Sequence, residues 1–399
     1  MQQKKKVSTA TTQTTEQLIQ HYKFNEAARI LQREIDMARS TGKVTTRLEA
    51  DLKRANLGAD MLRGTEKVEF VDSIKVGRDE VLNHIHLSAE SGKFVMMNEE
   101  ADHFSNQELP FGKCGHINEL NSRIIFSLMD SVNNVKNLYN SYRSGQYWGT
   151  PSPLDGMQNV LADQDFPFMM PDGVTLYYAA QGNESLGGYD IFVTRYNAET
   201  KQYLKAENIG MPFNSPANDY LLAIDEQNNL GWLVTDRNQK ADSVCIYVFI
   251  PSSTREVYDL NTANLKHVTQ VAQLHSIAET QDNKENVTKA KKRLAKLLSN
   301  DAQATINKAR LYIINDQIVY TQLSQFKSKN AQRIAQQADQ VIDKIADLKA
   351  KQDKIMRNFA QGKRTSQKVQ DLININKNLA KLQEQYNTLC KNMRKAELQ

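Results

Sequence analysis

The apolar positions of this chain change their period along its length. Between residues 14 and 64, Leu18, Tyr22, Ala27, Ala28, Ile30, Leu31, Ile35 and Ala38 recur at helical spacing. Gly42 interrupts, and Leu48, Leu52, Ala55, Leu57 and Leu62 then continue the pattern. Steps of three and four residues put these side chains on one helix face, so the segment predicts a helical hairpin. From 65 to 258 the pattern turns into short apolar runs separated by Asp, Gly and Asn, which predicts β-hairpins. Helical spacing returns through Val268, Val271, Leu274 and Ile277, then Val287, Ala290 and Leu294. Two β-branched runs around Asn315-Asp316, between Arg310 and Thr321, predict a small hairpin there. Beyond it Ile334, Ala338, Val341, Ile345, Leu348, Ile355 and Phe359 step by three and four. After Gly362, Leu372, Ile375, Leu379, Leu382, Tyr386, Leu389 and Met393 do the same, which predicts an antiparallel helical hairpin of coiled-coil type. The expected fold is therefore multidomain α and β. It has a flexible start (1–13), a helical hairpin (14–64), an all-β region (65–258), helices with a small β-hairpin (259–324) and an antiparallel helical hairpin (325–399).

The β region repeats. With Asp165 placed over Asp219, the run Asp165 to Ala179 lies over Asp219 to Leu233 without a gap. Each unit is an apolar strand, a polar turn (Pro171-Asp172-Gly173 in one, Asp225-Glu-Gln-Asn-Asn229 in the other) and a second apolar strand. A third strand follows in each, Tyr189 to Thr194 and Val244 to Phe249. Weaker copies lie at His86 to Met97 and at Ile117 to Ser127, the latter continuing to Pro151. Strand–turn–strand units recurring at about 50 residues are the sequence pattern of propeller blades. Four copies predict four blades, with five the alternative, and Val68 to Val71 is the expected closing strand that hides a sheet edge.

These motifs carry a family resemblance. Pro171-Asp172-Gly173-Val-Thr-Leu-Tyr, followed by Gly187-Gly188-Tyr189-Asp190-Ile-Phe-Val, resembles the WD40-like repeat of TolB-type β-propellers. Ile209-Gly-Met-Pro212-Phe-Asn214-Ser215-Pro-Ala-Asn218-Asp219 is similar to the linker between their blades, and Tyr22-Lys-Phe-Asn-Glu-Ala27-Ala28 resembles the middle of a tetratricopeptide repeat. The families most resembled are envelope proteins of Gram-negative bacteria in which a tetratricopeptide-like segment precedes such a propeller. The resemblance implies an exported protein, periplasmic or associated with the outer membrane, with its signal peptide removed. It implies a non-enzymatic scaffold that docks other envelope proteins, and it transfers no catalytic residue. The Pro-Asp-Gly turn does not recur in the first and last copies, and wall anchoring through a peptidoglycan-binding domain, as in some relatives, is not expected.

Charge sharpens the division. Residues 1–64 carry 12 basic and 7 acidic groups, 65–256 carry 14 and 26, and 257–399 carry 25 and 13. The acidic, turn-rich centre is thus flanked by basic, turn-poor chain, and all eight prolines fall between Pro110 and Pro251. The basic C-terminal third interleaves its charges with Gln, Asn and Asp and has few aromatics, so nucleic acid is not the favoured partner. Its helices read first as a solvated structural arm, and the alternative is an arm that docks a partner protein or a second copy. No run of about 18 apolar residues exists to cross a membrane.

Three cysteines, Cys114, Cys245 and Cys390, cannot build a disulfide framework. The sequence holds no phosphate loop, GxSxG elbow or HExxH motif, so no cofactor is expected. His84-Ile-His86, with His103, Cys114 and His116 nearby, has the ligand chemistry of a Zn²⁺ or Cu site if His84 and His86 share one strand face. Asp163, Asp165, Asp172, Asp190, Asp219, Asp225 and Asp236 could serve acid–base chemistry or bind Ca²⁺, although turns and corners ordinarily use Asp. Trp148 and Trp232 read as packing before carbohydrate platforms. Loop residues near Tyr189, Asp190, Asn214 and Asp219 are the expected contact surface. The alternatives to the scaffold are a glycan- or metal-binding propeller module and a propeller hydrolase.

Overall fold

The structure is a computed structural model that describes residues 14–104, 108–131, 133–145, 147–157, 163–306, 312–315, 318–320, 322–360 and 365–398. The expected flexible start 1–13 and the break at Gly362 lie outside the described residues. The chain is mixed α and β, with several antiparallel sheets and helices at both ends. It divides into two compact units, residues 1–298 and 299–399.

The first unit opens with α1 (Thr15–Gln20), α2 (Phe24–Ser40) and α3 (Thr46–Arg63). A capping box starts α1, with Thr14 and Gln17 exchanging side-chain-to-backbone bonds. Leu18, Ile19, Phe24, Ala27 and Leu31 bury the predicted helix face. They share one core with Leu186 and Met211 of the β region and with Val268 and Val271 of α5 (Leu265–Gln273), so these helices are no separate domain. Gly58 in α3 touches the ring of Phe24, and a Cβ there would collide with it.

Among the described residues, the β region forms three antiparallel sheets. The first runs β2-β3-β4-β5-β6: Lys93–Met96, Phe111–Ile117, Arg123–Asp130, Val135–Ser144 and Tyr147–Trp148. The short β7 (Ser152–Pro153) also pairs with β5, and a short helix, α4 (Met97–Glu100), follows β2. The second sheet runs β8 (Gln164–Met169), β9 (Thr175–Ala180), β10 (Asp190–Asn197) and β11 (Gln202–Tyr203), with β12 (Glu207–Asn208) also on β10. The third runs β13 (Asp219–Asp225), β14 (Leu230–Thr235) and β15 (Ser243–Phe249), and β1 (Phe70–Gly77) adds to its outer edge. The two weaker sequence copies therefore contribute to one sheet, not two. The segment His86 to Ser91 is loop and 3-10 turn, and the strand begins only after Gly92, at a φ of +71° that favours glycine.

The repeated unit is visible in register. β8 and β13 each carry an irregularity just after their aspartate, between Asp165 and Phe168 and between Asp219 and Leu221. Asp172 closes the first turn by accepting from the N–H groups of Val174 and Thr175, at 2.8 Å each. The strand expected at Val68–Val71 starts two residues later, at Phe70, and runs longer, to Gly77. β1 pairs antiparallel with β15, Phe70 opposite Phe249 and Ile74 opposite Ile246. The unit ends in α6 (Lys284–Ile306), whose Ala290, Leu294 and Leu297 pack on the core that includes Trp232 and Ile246.

In the second unit the predicted small hairpin is present as β16 (Tyr312–Ile313) and β17 (Val319–Tyr320). The long helices are α7 (Lys329–Ala360) and α8 (Ser366–Leu398). Gln352 donates to Asn376 at 2.7 Å across them, and Glu397 accepts from the N–H groups of Lys327 and Ser328 at the start of α7. These contacts make the pair antiparallel. Ala331, Ala335, Ala338, Val341 and Ile345 of α7 are buried, whereas Leu372, Leu379, Leu382 and Leu389 of α8 stay half-buried.

Candidate functional site

The three sheets meet at a set of polar side chains drawn from different strands. Asp165, at the start of β8, is fully buried. Its Oδ1 accepts from Ser127 Oγ of β4 at 2.8 Å and from the Phe166 N–H at 2.9 Å. Its Oδ2 accepts from Lys136 Nζ of β5 at 2.7 Å. The same ammonium donates to the hydroxyl of Tyr189 at 2.8 Å, and that hydroxyl donates to Asp163. Burial works against the Lys136 charge, but Asp165 and the hydrogen bonds outweigh it and hold the ammonium above its ordinary range. Burial, with the bond to Asp163, pushes the Tyr189 phenol up, so it stays protonated and able to donate.

A second group joins the second and third sheets. Tyr220 donates to Asp236 at 2.9 Å, and Arg78 pairs with the same carboxylate at 3.1 Å while lying over the Tyr220 ring. Asn218 bonds Asp236 and accepts from the Tyr189 N–H at 3.1 Å. Phe166 sits edge-on between the rings of Tyr189 and Tyr220, at centroid distances of 6.1 and 5.6 Å. Asp225 ties the third sheet to the segment before β2 by accepting from the Ser88 N–H and hydroxyl at 2.8 and 2.7 Å.

Beside these groups lies a cavity of about 190 Å³. Val81, Leu82, Met96, Phe166, Leu221 and Val244 supply apolar lining, and Arg78, Asp79, Lys113 and Tyr220 supply polar lining. Its walls come from all three sheets and from the 3-10 helix Arg78–His84.

The expected contact residues are differently placed. Asp190, Asn214 and Asp219 are fully buried and lie beneath the surface, where they hold loops from within. Asp190 accepts from the N–H groups of Leu186 and Gly187 and from the Asn208 amide. Asn214 bonds both backbone groups of Ile191, and Asp219 accepts from the Ser215 N–H and hydroxyl. Asp219 also pairs with the buried Arg237 at 2.6 Å, and Arg237 donates as well to Pro212 O, Phe213 O and Thr235 Oγ1. Burial, then the charge of Asp219, raises the Asp190 carboxyl to about 7. Tyr189 alone of the four is half-exposed.

The candidate metal ligands do not assemble. Among the described residues, no group of three or more His, Cys, Asp or Glu side chains is placed to hold an ion. His84 ends a 3-10 helix and His86 follows in a loop, so they do not share a strand face. His103 stands against Glu100 at 3.4 Å. His116 is buried, with one ring nitrogen on Ser91 O at 2.9 Å and the other near the Met169 N–H at 3.4 Å, and burial lowers its pKa to about 4. Burial, with the Asp165 charge, raises the Cys114 thiol well above its ordinary range. Trp148 and Trp232 are buried and present no stacking face. Asp163 and Asp165 do converge, as a hydrolase would require, but both act on Lys136.

Lys136, Ser127, Arg237, Arg78 and Lys113 carry no motif. The alignment of Asp165 with Asp219 marks the two acceptors, and their cations follow no repeat. No family model, curated protein or solved structure matches the chain.

Proposed function

We propose that the chain is a non-enzymatic protein-interaction scaffold of the bacterial envelope, built on a small β-propeller of four or five blades to which the three sheets contribute and which β1 closes. The observation that carries this reading is the use of the buried carboxylates. Asp165, Asp190, Asp219 and Asp225 are each committed to backbone N–H, hydroxyl or cationic donors that tie one loop or sheet to the next. Such a body holds its loops rigidly and leaves those carboxylates no open reactive position, which suits a docking surface better than a hydrolase. The half-buried seam of α7 and α8 supplies a second surface for a partner protein or a second copy.

The test is crosslinking of the tagged chain in envelope fractions, followed by affinity capture and mass spectrometry. The expected result is a stoichiometric envelope partner whose capture is lost when exposed apolar residues of the β region, Leu120 and Tyr142, are replaced by Asp. Capture of the chain alone, from a soluble fraction, would overturn the scaffold reading.

A further inference from the structure

We propose that the cavity between the three sheets binds a free α-amino acid with a branched aliphatic or aromatic side chain. The inference stands apart from the scaffold reading and rests on three features of the cavity.

The first is size and lining. An apolar cavity of about 150 Å³ is enough to take benzene, and this one measures about 190 Å³ behind Leu82, Met96, Phe166, Leu221 and Val244. That space fits one leucine-like or phenylalanine-like side chain and little more.

The second is the pair of charges beside it. Asp79 and Lys113 both line the cavity and both are exposed. They make no ion pair with each other, and neither has an ionic or hydrogen-bonding partner among the described residues. One charge of each sign flanking an apolar recess is the complement of a zwitterion, with Lys113 taking the carboxylate and Asp79 the ammonium.

The third is what Arg78 does not do. Its guanidinium is held by Asp236 and lies over Tyr220, so it adds no unbalanced charge at the mouth. A ligand with a net charge would leave either Asp79 or Lys113 opposed, whereas a neutral zwitterion satisfies both. Glycans are disfavoured by the same lining, because their hydroxyls would face apolar walls.

The test is isothermal titration of the full chain with L-leucine and L-phenylalanine. Two comparison ligands separate the charges: isocaproate, which is leucine without its ammonium, and isoamylamine, which is leucine without its carboxylate. The variants are Asp79→Asn and Lys113→Gln, both at exposed positions, with circular dichroism to show that they fold. The expected result is saturable binding of at least one of the two amino acids. Loss of either ligand charge, or of either side-chain charge, weakens it by about tenfold to a hundredfold. Isocaproate binding is expected to survive Asp79→Asn unchanged, and isoamylamine binding to survive Lys113→Gln. The proposal is overturned if neither amino acid gives a saturable signal, if both analogues bind as tightly as leucine, or if the two variants bind leucine as the parent does.

Discussion

The two aligned hairpin units place an aspartate at the same point beside the same strand irregularity, and then neutralise it differently. Asp165 takes Lys136 from another sheet, together with Ser127 and Tyr189 nearby, and the ammonium borders the surface. Asp219 takes Arg237 from the turn that follows β14, and that guanidinium is buried and also gathers the carbonyls of Pro212 and Phe213. The repeat thus specifies a backbone shape and an acceptor, and tertiary surroundings choose the donor. A compact ammonium reaches across a sheet boundary, whereas a planar five-donor guanidinium organises a loop.

The comparison can be broken at either cation, and the tryptophans make it readable. Trp148 and Trp232 both lie in the first unit, so fluorescence during chemical denaturation reports that unit by itself. Arg237→Ala should have the largest effect, a loss of about 3–5 kcal/mol, because it removes the cation paired with the fully buried Asp219. A loss under 1 kcal/mol would show that the pair is not what holds the loop. Lys136→Ala should cost about 2 kcal/mol: each aspartate keeps two other donors, but Lys136 borders the surface, so water can reach part of the vacated position. Equal costs for the two would erase the distinction drawn above.

Titration sharpens the same contrast. The folded Asp190 binds its proton up to about 7, well above the ordinary carboxyl value. Its contribution to stability is present below about pH 4 and is lost as pH rises through 7, by up to about 1.4 kcal/mol per unit. His116 acts oppositely. Its folded pKa of about 4 lies below the usual imidazole value, so its contribution is present above about 6.5 and fades as pH falls through 4. Between these limits the two slopes oppose. Asp190→Asn should unmask a stability that rises with pH from 4 to 6.5, measured by denaturant midpoints across that range. An unchanged profile would remove Asp190 from the account. Tyr189→Phe should cost about 1 kcal/mol through its lost hydroxyl bonds. Arg39→Ala should leave the denaturant midpoint unchanged, because its partner Glu49 is exposed and the pair is screened.

Period and turn chemistry are local, and they carried the reading of the helices and of the two aligned units. The apolar steps of Leu18 to Ile35, the Asp172 turn and the stepped residues of α7 and α8 all have structural counterparts. The number of sheets was not readable in this way. The runs at 86–97 and 117–127 look like separate units, yet β2 pairs with β3 and β3 with β4, because which strands join is settled by long-range packing. The site was least visible. Asp165, Asp190 and Asp219 stood out as aspartates in turn-rich chain, but nothing local to Lys136, Arg237, Asp79 or Lys113 announces what each faces across the fold.

The pairing of β1 with β15 also bears on how the chain is made. Phe70 and its partner Phe249 are separated by most of the first unit. A ribosome adding about 5–20 residues per second would need roughly 10 to 35 s after releasing β1 before β15 emerges. For that interval β1 lacks its native partner strand, so the third sheet cannot reach its finished arrangement until β15 has emerged. The chain therefore holds an early-born strand in reserve for its last sheet, and a helper that shields that edge would act before residue 249 is translated.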